Sequence, residues 1–459
     1  MSLPPDFITQ MQQTLGTAEA ESLCQSLAGS APSVSVRRNP LKPSSALPAE
    51  EEAPVPWCER GVYLKTRPSF TADPLLHAGC YYVQEAASMF VEQAYRTIAS
   101  DFVPTRMLDL CAAPGGKSTL WRSLLPDGAL LVANEPMRQR AQILAENLTK
   151  WGHPDVVTTS AYAADFAPLA SFFDVVATDV PCSGEGMFRK DEGAVAEWSR
   201  EAVLACAERQ WSIVEDIWPT LRQGGYLVYS TCTFNREENE LTVQRICREL
   251  GAELVPIPIE EGWGISGDTT GSGMPVYHFF PHKTKGEGLF LALLRKTAES
   301  PAPRTKKNRK DRSQQTGKVQ NAAKVAPWLA ESEQFKIVRP DGEHLLAVRE
   351  ALADDVMRVC ATVRALTAGV LLAEEKGKKL VPQHALALSS ALRPDAFPKA
   401  DLSLEQALSY LRREVLTLAP EVPCGYVLAS FAGHPLGFLN NLGSRANNLY
   451  PQEWRIRKL

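Results

Sequence analysis

The stretch from residue 107 to residue 296 predicts an α/β fold, a parallel sheet covered by helices on both faces. Three observations carry that reading. Short apolar runs alternate with longer amphipathic ones, beginning with MLDLC and KSTLWRSLL, as βα units do. The short runs, such as FFDVVATDV, are apolar throughout and not only at every second residue, which suits strands buried on both faces. The acids, thiols and glycines that stand out fall where a run ends, and in such sheets ligands sit outside the carboxyl ends of the strands.

Taken in order, residues 5–28 read as a helical start, residues 31–56 as a Pro/Ser/Ala-rich loop, and residues 61–65 as a strand. YYVQEAASMFVEQAYRTI, beginning at Tyr81, is apolar at helical spacing. The α/β pattern then runs MLDLC (strand), KSTLWRSLL (helix), ALLVANE (strand), RQRAQILAENLTKWG (helix), then VVTTS and FFDVVATDV (strands). REAVLACAERQWSIVEDIWPTLRQ reads as one long helix closed by Gly224 and Gly225. The strand YLVYSTCT, the helix NREENELTVQRICREL and a late strand GLFLALLRK follow. Residues 326–395 mix helix and strand signals. The last part, GYVLASFAGHPLGFLNNLGSRANNLYP, has short apolar runs split by Gly and Asn, as in a small β module. The expected division is an N-terminal extension at 1–100, a catalytic domain at 101–297, a basic linker at 298–325, an intermediate domain at 326–395 and a terminal module at 396–459.

A chain of 459 residues is too long for one core, and roughly two to four domains is the natural expectation. No run approaches the ~20 apolar residues of a membrane span. MSLPPDFITQMQQTL has no basic region followed by an apolar one, so no secretory signal is expected. Ten cysteines are scattered without any C-x-x-C spacing, which argues against a zinc ribbon and a disulfide scaffold. Reduced thiols in a cytoplasm, without membrane or metal, are the expectation. The net charge of −4 hides a basic stretch, residues 301–324, with eight Lys or Arg against one Asp. The chain end adds Arg445, Tyr450, Trp454, Arg455 and Arg457, a mix of charge and aromatics that suits RNA.

Three segments carry the chemistry. LDLCAAPGGKSTL, residues 108–120, is a strand, a glycine turn and a helix start, a place where backbone amides bind anionic groups. A phosphate-binding P-loop competes, but Cys111 stands where its first glycine belongs and Pro114 stiffens the turn. Glu135 ends the next strand, where an acid hydrogen-bonds the ribose of a nucleoside cofactor. DVPCSGEGMFRKD, residues 179–191, places Asp179 and Cys182 at one strand exit, and YSTCTFNREENE places Cys232 at another. A lone cysteine is usually buried filler. Two thiols at adjacent strand ends, one beside an acid, suit a nucleophile acting on an electrophilic ring. Chemistry alone does not choose between them.

CAAPGGK, DVPCSGEGMFRKD and YSTCTFN together resemble the Nol/Nop/Sun family of RNA cytosine-5 methyltransferases. GEGMFRKD, PHKTKGEGLFLALL and the C-terminal GYVLASFAGHPLGFLNNLGSRANNLYPQEWRIRK are most similar to its bacterial RsmF-type branch, which acts on small-subunit ribosomal RNA. The resemblance runs from about residue 55 onward; residues 1–50 match only in being helical. It implies a Rossmann-like S-adenosylmethionine-dependent methyltransferase sheet with an N-terminal α/β extension. A C-terminal mixed α/β RNA-binding region would end in a PUA-like module. S-adenosylmethionine would lie on Cys111, Ala112, Ala113, Pro114, Gly115, Gly116 and Lys117, with Glu135 on its ribose and Asp179 beside it. Asp179, Cys182 and Cys232 would be catalytic, Cys232 attacking the base and Cys182 assisting release. The partner implied is 16S ribosomal RNA or the small subunit, and the expected enzyme is a monomer. One departure stands out: VVTTSAYAADF places Thr159, Ser160 and Ala161 where such enzymes often carry an adenine-side acid or Asn.

Other candidates are weaker. Pro281 breaks the helix that would face His278 and His282 at a metal; His282 is a candidate for the base pocket. Lys117 is a candidate partner for Asp179. Arg189 and Lys190 suit phosphate contacts or solvated loop charges equally. Trp57, Trp198, Trp211 and Trp218 read as packing. A different class, an RNA-binding assembly factor on a methyltransferase scaffold, is disfavoured by the intact Asp179, Cys182 and Cys232.

Overall fold

The computed structural model describes residues 3–29, 31–299 and 319–457, so most of the basic linker lies outside the described residues. Two helices open the chain, Pro5–Leu15 and Thr17–Gly29, separated at Gly16, whose φ of 83° suits a residue without a side chain. Their apolar face (Phe7, Met11, Leu23) packs on Phe188, Trp198, Phe234 and Phe280 of the region that follows.

A four-stranded sheet comes next: β1 (Ser35–Arg38), β2 (Glu51–Pro54), β3 (Gly61–Leu64) and β4 (Tyr81–Val83), in the order β2-β3-β1-β4. β1 and β2 lie inside the stretch expected to be a loop, and β4 takes the start of the stretch expected to be a helix. Short strands flanked by proline carry too little periodicity to be read, and sheet pairing decides them.

The central sheet contains β5 (Arg106–Asp109), β6 (Leu130–Asn134), β7 (Val156–Thr159), β8 (Phe173–Asp179), β9 (Leu221–Thr231), β10 (Ala252–Leu254), β11 (Val276–Phe279) and β12 (Leu289–Lys296). Its five middle strands are parallel in the order β9-β8-β5-β6-β7. β12 lies antiparallel on β9, and β10 and β11 on β12. Apolar cores cover both faces, one around Trp121, Leu131 and Leu291, the other around Leu108, Val132 and Phe290. The helix expected to reach Gly224 instead ends at Ile217. Pro219 cannot continue a helix, and β9 starts at Leu221, carrying the two glycines with it. A side chain at Gly225 would meet Asp174 O at 2.7 Å.

Residues 326–395 form β13 (Phe335–Val338), β14 (His344–Arg349), β15 (Ala365–Ala368), β16 (Val370–Lys376) and β17 (Lys379–Pro382). Four of them make their own sheet, but β15 leaves it and pairs antiparallel with β7, extending the central sheet. The terminal module has β18 (Lys399–Asp401), β19 (Gly425–Phe431), β20 (His434–Asn441) and β21 (Ala446–Asn448). Its core is shared: Leu402, Tyr410, Leu411, Val427 and Tyr450 pack in one cluster with Val36, Val62, Leu64 and Tyr81 of the first sheet.

Candidate active site

The parallel topology places the ends of β5, β6, β8 and β9 side by side, and the candidate catalytic and cofactor residues follow from that edge. After β5, Leu110 N–H donates to Ala177 O (2.9 Å) and Ala112 N–H to Asn134 O (2.8 Å). The turn passes through Gly115 at φ 114° and enters the helix Gly116–Leu124. Its carbonyls are held from outside by Arg140 on Ala113 (3.2 Å), Asn147 on Pro114 (2.8 Å) and Arg37 on Gly116 (3.3 Å). Ser118 Oγ donates to Asp109 Oδ2 at 2.6 Å. Burial pushes the Asp109 carboxyl up to about 7 and the Cys111 thiol up to about 12, so Cys111 stays a thiol.

Glu135, just past β6, is buried. Its carboxylate accepts Met137 N–H at 2.9 Å and lies 3.2 Å from Arg140. Thr159 and Ala161 are committed to Asn134 Oδ1, and Ser160 N–H donates to Arg364 O at 3.0 Å. The positions without an adenine-side ligand are therefore spent on internal bonds.

At the end of β8, Asp179 accepts Ser230 Oγ at 2.8 Å and pairs with Lys117 Nζ at 2.9 Å. Burial works against the Lys117 ammonium, but Asp179 outweighs it and holds its pKa above the ordinary lysine value. The expected Lys117 partnership is present.

Cys182 Sγ and Cys232 Sγ lie 3.2 Å apart. The hydrogen bond to Cys232, together with burial and nearby carboxylates, pushes the Cys182 thiol well above its ordinary range. Cys182 therefore stays a thiol. The two thiol loops meet at Gly186, whose N–H donates to Cys232 O at 2.8 Å; a Cβ there would lie 2.6 Å from that oxygen.

Several candidates land elsewhere. Arg189 is buried in an ion pair with Glu287 (2.9 Å) and donates to Gly286 O (2.5 Å); Lys190 lies 3.7 Å from the same acid. Arg189 is therefore held in an ion pair and is not a solvated loop charge. His282 pairs with Glu19 Oε2 at 3.1 Å and lines an open cleft of about 610 Å³ with Ser22, Gln25 and Gly286. His278 is fully buried against Glu240 (2.9 Å). Trp57, Trp198, Trp211 and Trp218 are buried packing. Tyr450 is buried and Trp454 rests edge-on against His384, so of the five chain-end candidates Arg445, Arg455 and Arg457 are the exposed ones. Sequence reasoning missed Glu185, Gln210, Asn235 and Glu238, a buried network behind the thiols; its only signal was the acid-rich turn after Cys232. It also missed Arg37, which donates to Thr119 (2.6 Å) and Gln84 (2.8 Å) and ties β1 to the glycine turn.

A parallel sheet with a glycine turn after its central strand and acids at the neighbouring strand ends defines a Rossmann-like methyltransferase. Two solved structures from Pyrococcus horikoshii share the fold. NSun6, solved with SFG, has a TM-score of 0.53 at 21% identity, covering 64% of this chain and 98% of that one. A methyltransferase homolog protein has a TM-score of 0.53 at 24% identity, covering 64% and 100%. The family described as 16S rRNA methyltransferase RsmB/F matches residues 103–295. The N-terminal domain of 16S rRNA methyltransferase RsmF matches residues 3–86, and the RsmF PUA domain residues 397–456. Ribosomal RNA small subunit methyltransferase F of Erwinia tasmaniensis is 31% identical over 475 residues, 98% of this chain and 96% of the relative. The Escherichia coli protein of that name is 32% identical over 478 residues, covering 98% and 96%. The chain belongs to the RsmF family of 16S ribosomal RNA methyltransferases. No helix among the described residues is long and apolar enough to cross a membrane, and none of their His, Cys, Asp and Glu side chains cluster in threes to hold a metal.

Proposed function

We propose that this chain methylates carbon 5 of a cytidine in 16S ribosomal RNA, using S-adenosylmethionine and a covalent cysteine adduct at carbon 6. The observation that carries the reading is the Cys182–Cys232 pair at 3.2 Å, beside an Asp179 already held by Lys117 and Ser230. A methyl donor alone needs no thiols; a ring carbon that is a poor nucleophile does.

The donor set suits the cofactor. Gly115 takes φ 114°, a conformation that residues with a side chain rarely adopt, and a Cβ there would press on Leu144 at 3.2 Å. Glu135 presents a buried carboxylate at the next strand end, the group that a ribose diol takes. Residues 111–117 with Glu135 would hold the cofactor. When bound, it supplies an electrophilic methyl on a sulfonium.

The thiolate of Cys232 adds to carbon 6, forming the C–S bond as ring electrons shift toward carbon 5 and nitrogen 3. Asp179 stabilises a proton at that nitrogen, and carbon 5 becomes nucleophilic. After methylation the carbon 5 proton passes to solvent water, the C–H electron pair re-forms the ring double bond, and the C–S bond breaks with Cys232 leaving as the thiolate it entered as. Cys182, which keeps its proton during attack, assists that release. The cytidine must be unpaired or extruded, because neither thiol reaches carbon 6 within a stacked duplex. The exposed Arg445, Arg455 and Arg457 supply phosphate contacts from the PUA module.

Denaturing gels with labelled RNA and S-adenosylmethionine test the roles. Cys182→Ser should accumulate a protein–RNA adduct and Cys232→Ser should form none. A band with Cys232→Ser alone would reverse the roles. If neither variant forms a band and both keep activity, the thiols are structural.

A further inference from the structure

We infer that Glu238 is a positioning residue for release, holding Cys182 beside Cys232 by clamping the backbone on both sides of the Pro181–Cys182 pair. The inference rests on the thiol roles proposed above. One carboxylate oxygen of Glu238 accepts Ser183 N–H at 2.9 Å and Gln210 Nε2 at 2.7 Å. The other accepts Ser183 Oγ in a short bond and Asn235 Nδ2 at 2.7 Å. Gln210 Nε2 also reaches Pro181 O at 3.0 Å. Cys182 thus sits between two residues that are both tied to this one acid, one directly and one through Gln210.

Gln210 cannot turn its amide over without loss, because its oxygen would then face two acceptors, Pro181 O and the Glu238 carboxylate. Once Glu238 is ionised, above about pH 7, the arrangement therefore uses both oxygens at position 238 as acceptors. A glutamine there offers one oxygen, and its NH₂ must face a donor, Asn235 Nδ2 on one side or Ser183 N–H and Gln210 Nε2 on the other. The charge has a second use. The Glu238 carboxylate is one of the groups that keep the Cys182 proton in place, after the Cys232 hydrogen bond and burial.

Cys232 is held by other means. β9 fixes the residue before it, Thr231 Oγ1 donates to Asn239 Oδ1 at 2.6 Å, and Asn239 Nδ2 reaches Thr233 O at 3.0 Å. Loss of the Glu238 clamp should therefore loosen the releasing thiol and spare the attacking one.

The test compares wild type, Glu238→Gln, Glu238→Asp and Cys182→Ser in the full chain with 16S RNA and S-adenosylmethionine. Single-turnover methyl transfer, steady-state turnover and the adduct on denaturing gels are read together. Glu238→Gln should lose roughly tenfold or more in steady-state turnover and keep single-turnover transfer within about threefold. It should accumulate adduct as Cys182→Ser does, and Glu238→Asp, which keeps a carboxylate, should recover part of the turnover. Adduct with Cys182→Ser but none with Glu238→Gln would overturn this inference alone, as would an equal loss of both rates. No adduct with Cys182→Ser would overturn the thiol roles and this inference together.

Discussion

Two parts of the molecule bury titratable side chains, and they do so with opposite sign. The thiol mouth buries acids: burial pushes Asp109 and Glu238 up to about 7 and raises Glu185 as well. The junction of the first sheet with the terminal module buries bases: burial brings Lys42 down to about 7, His77 to about 4 and His384 to about 3. At the mouth the acids are richly hydrogen-bonded; Glu185 alone accepts from Phe234 N, Asn235 N and Trp198 Nε1. At the junction both ring nitrogens of His384 are buried without a partner, and the contact is made by Tyr410, Tyr450, Leu439 and Val62. Hydrogen bonds fix direction and suit a site that must place two sulfur atoms. Apolar packing fixes association and little else. The mouth is built for geometry and the junction for assembly.

The harshest way to break that contrast is truncation after Lys296. Read from sequence, it removes RNA affinity and leaves a working catalytic domain. The shared core predicts more: the first sheet loses its apolar cover, and β7 loses β15. Exposing a cluster of fully buried Leu, Val and Tyr side chains costs several kcal/mol, of order 1.5–3 each. The truncated chain should be insoluble or melt without a cooperative transition by circular dichroism. A soluble fragment with an intact melt and normal cofactor affinity would mean that the junction is dispensable.

That expectation shows where the sequence was legible. Asp179, Cys182, Cys232, Lys117 and the glycine turn lie in three short motifs, each a strand end with its own local signal, and the sheet brings them together as anticipated. Pro219 was legible too, yet the pull of a long apolar periodicity carried the helix through it to Gly224. Glu238 and Gln210 lie 28 residues apart in sequence and Arg37 and Thr119 lie 82 apart; no local pattern announces such bonds. The shared core was the least legible of all, because Tyr450 and Trp454 look alike whether they stack on a base or pack against His384. The exposed charge beside them favoured the wrong choice for both.

A milder perturbation sharpens the claim that the mouth is about geometry. Gly186→Ala places a methyl 2.6 Å from Cys232 O, so one thiol loop must shift by several tenths of an ångström. Misplacement of about 1 Å costs on the order of a hundredfold in rate, and a loss of roughly tenfold to a hundredfold in methylation is expected. Cofactor affinity, measured by calorimetry, should be unchanged because the glycine turn lies on a different strand end. An unaffected rate would show that the loops tolerate slack that the contacts do not suggest.

The smallest effect tests the opposite signs directly. Asp109 and Glu238 have folded pKa values of about 7, above their ordinary 3.8 and 4.5. The stability they contribute is complete below those ordinary values and is lost as pH rises toward 7. His77 and His384 have folded values near 4 and 3, below 6.5; their contribution is complete above 6.5 and is lost as pH falls. Lys42, at about 7 against 10.5, adds to the same trend at higher pH. Raising pH from about 5 to 8 should therefore loosen the mouth and tighten the junction, by roughly 1–2 kcal/mol of local opening free energy each. Hydrogen exchange resolved by peptide, corrected for intrinsic exchange, measures both in one sample. Protection across residues 230–240 should fall while protection across residues 384–388 and 425–441 rises. If both segments move in the same direction, global stability dominates and the two regions are not electrostatic opposites. His384→Gln should then weaken the junction's response and leave the mouth's unchanged, because an amide has no proton to take up as the pH falls. A junction response undiminished in that variant would assign the effect to His77 and Lys42.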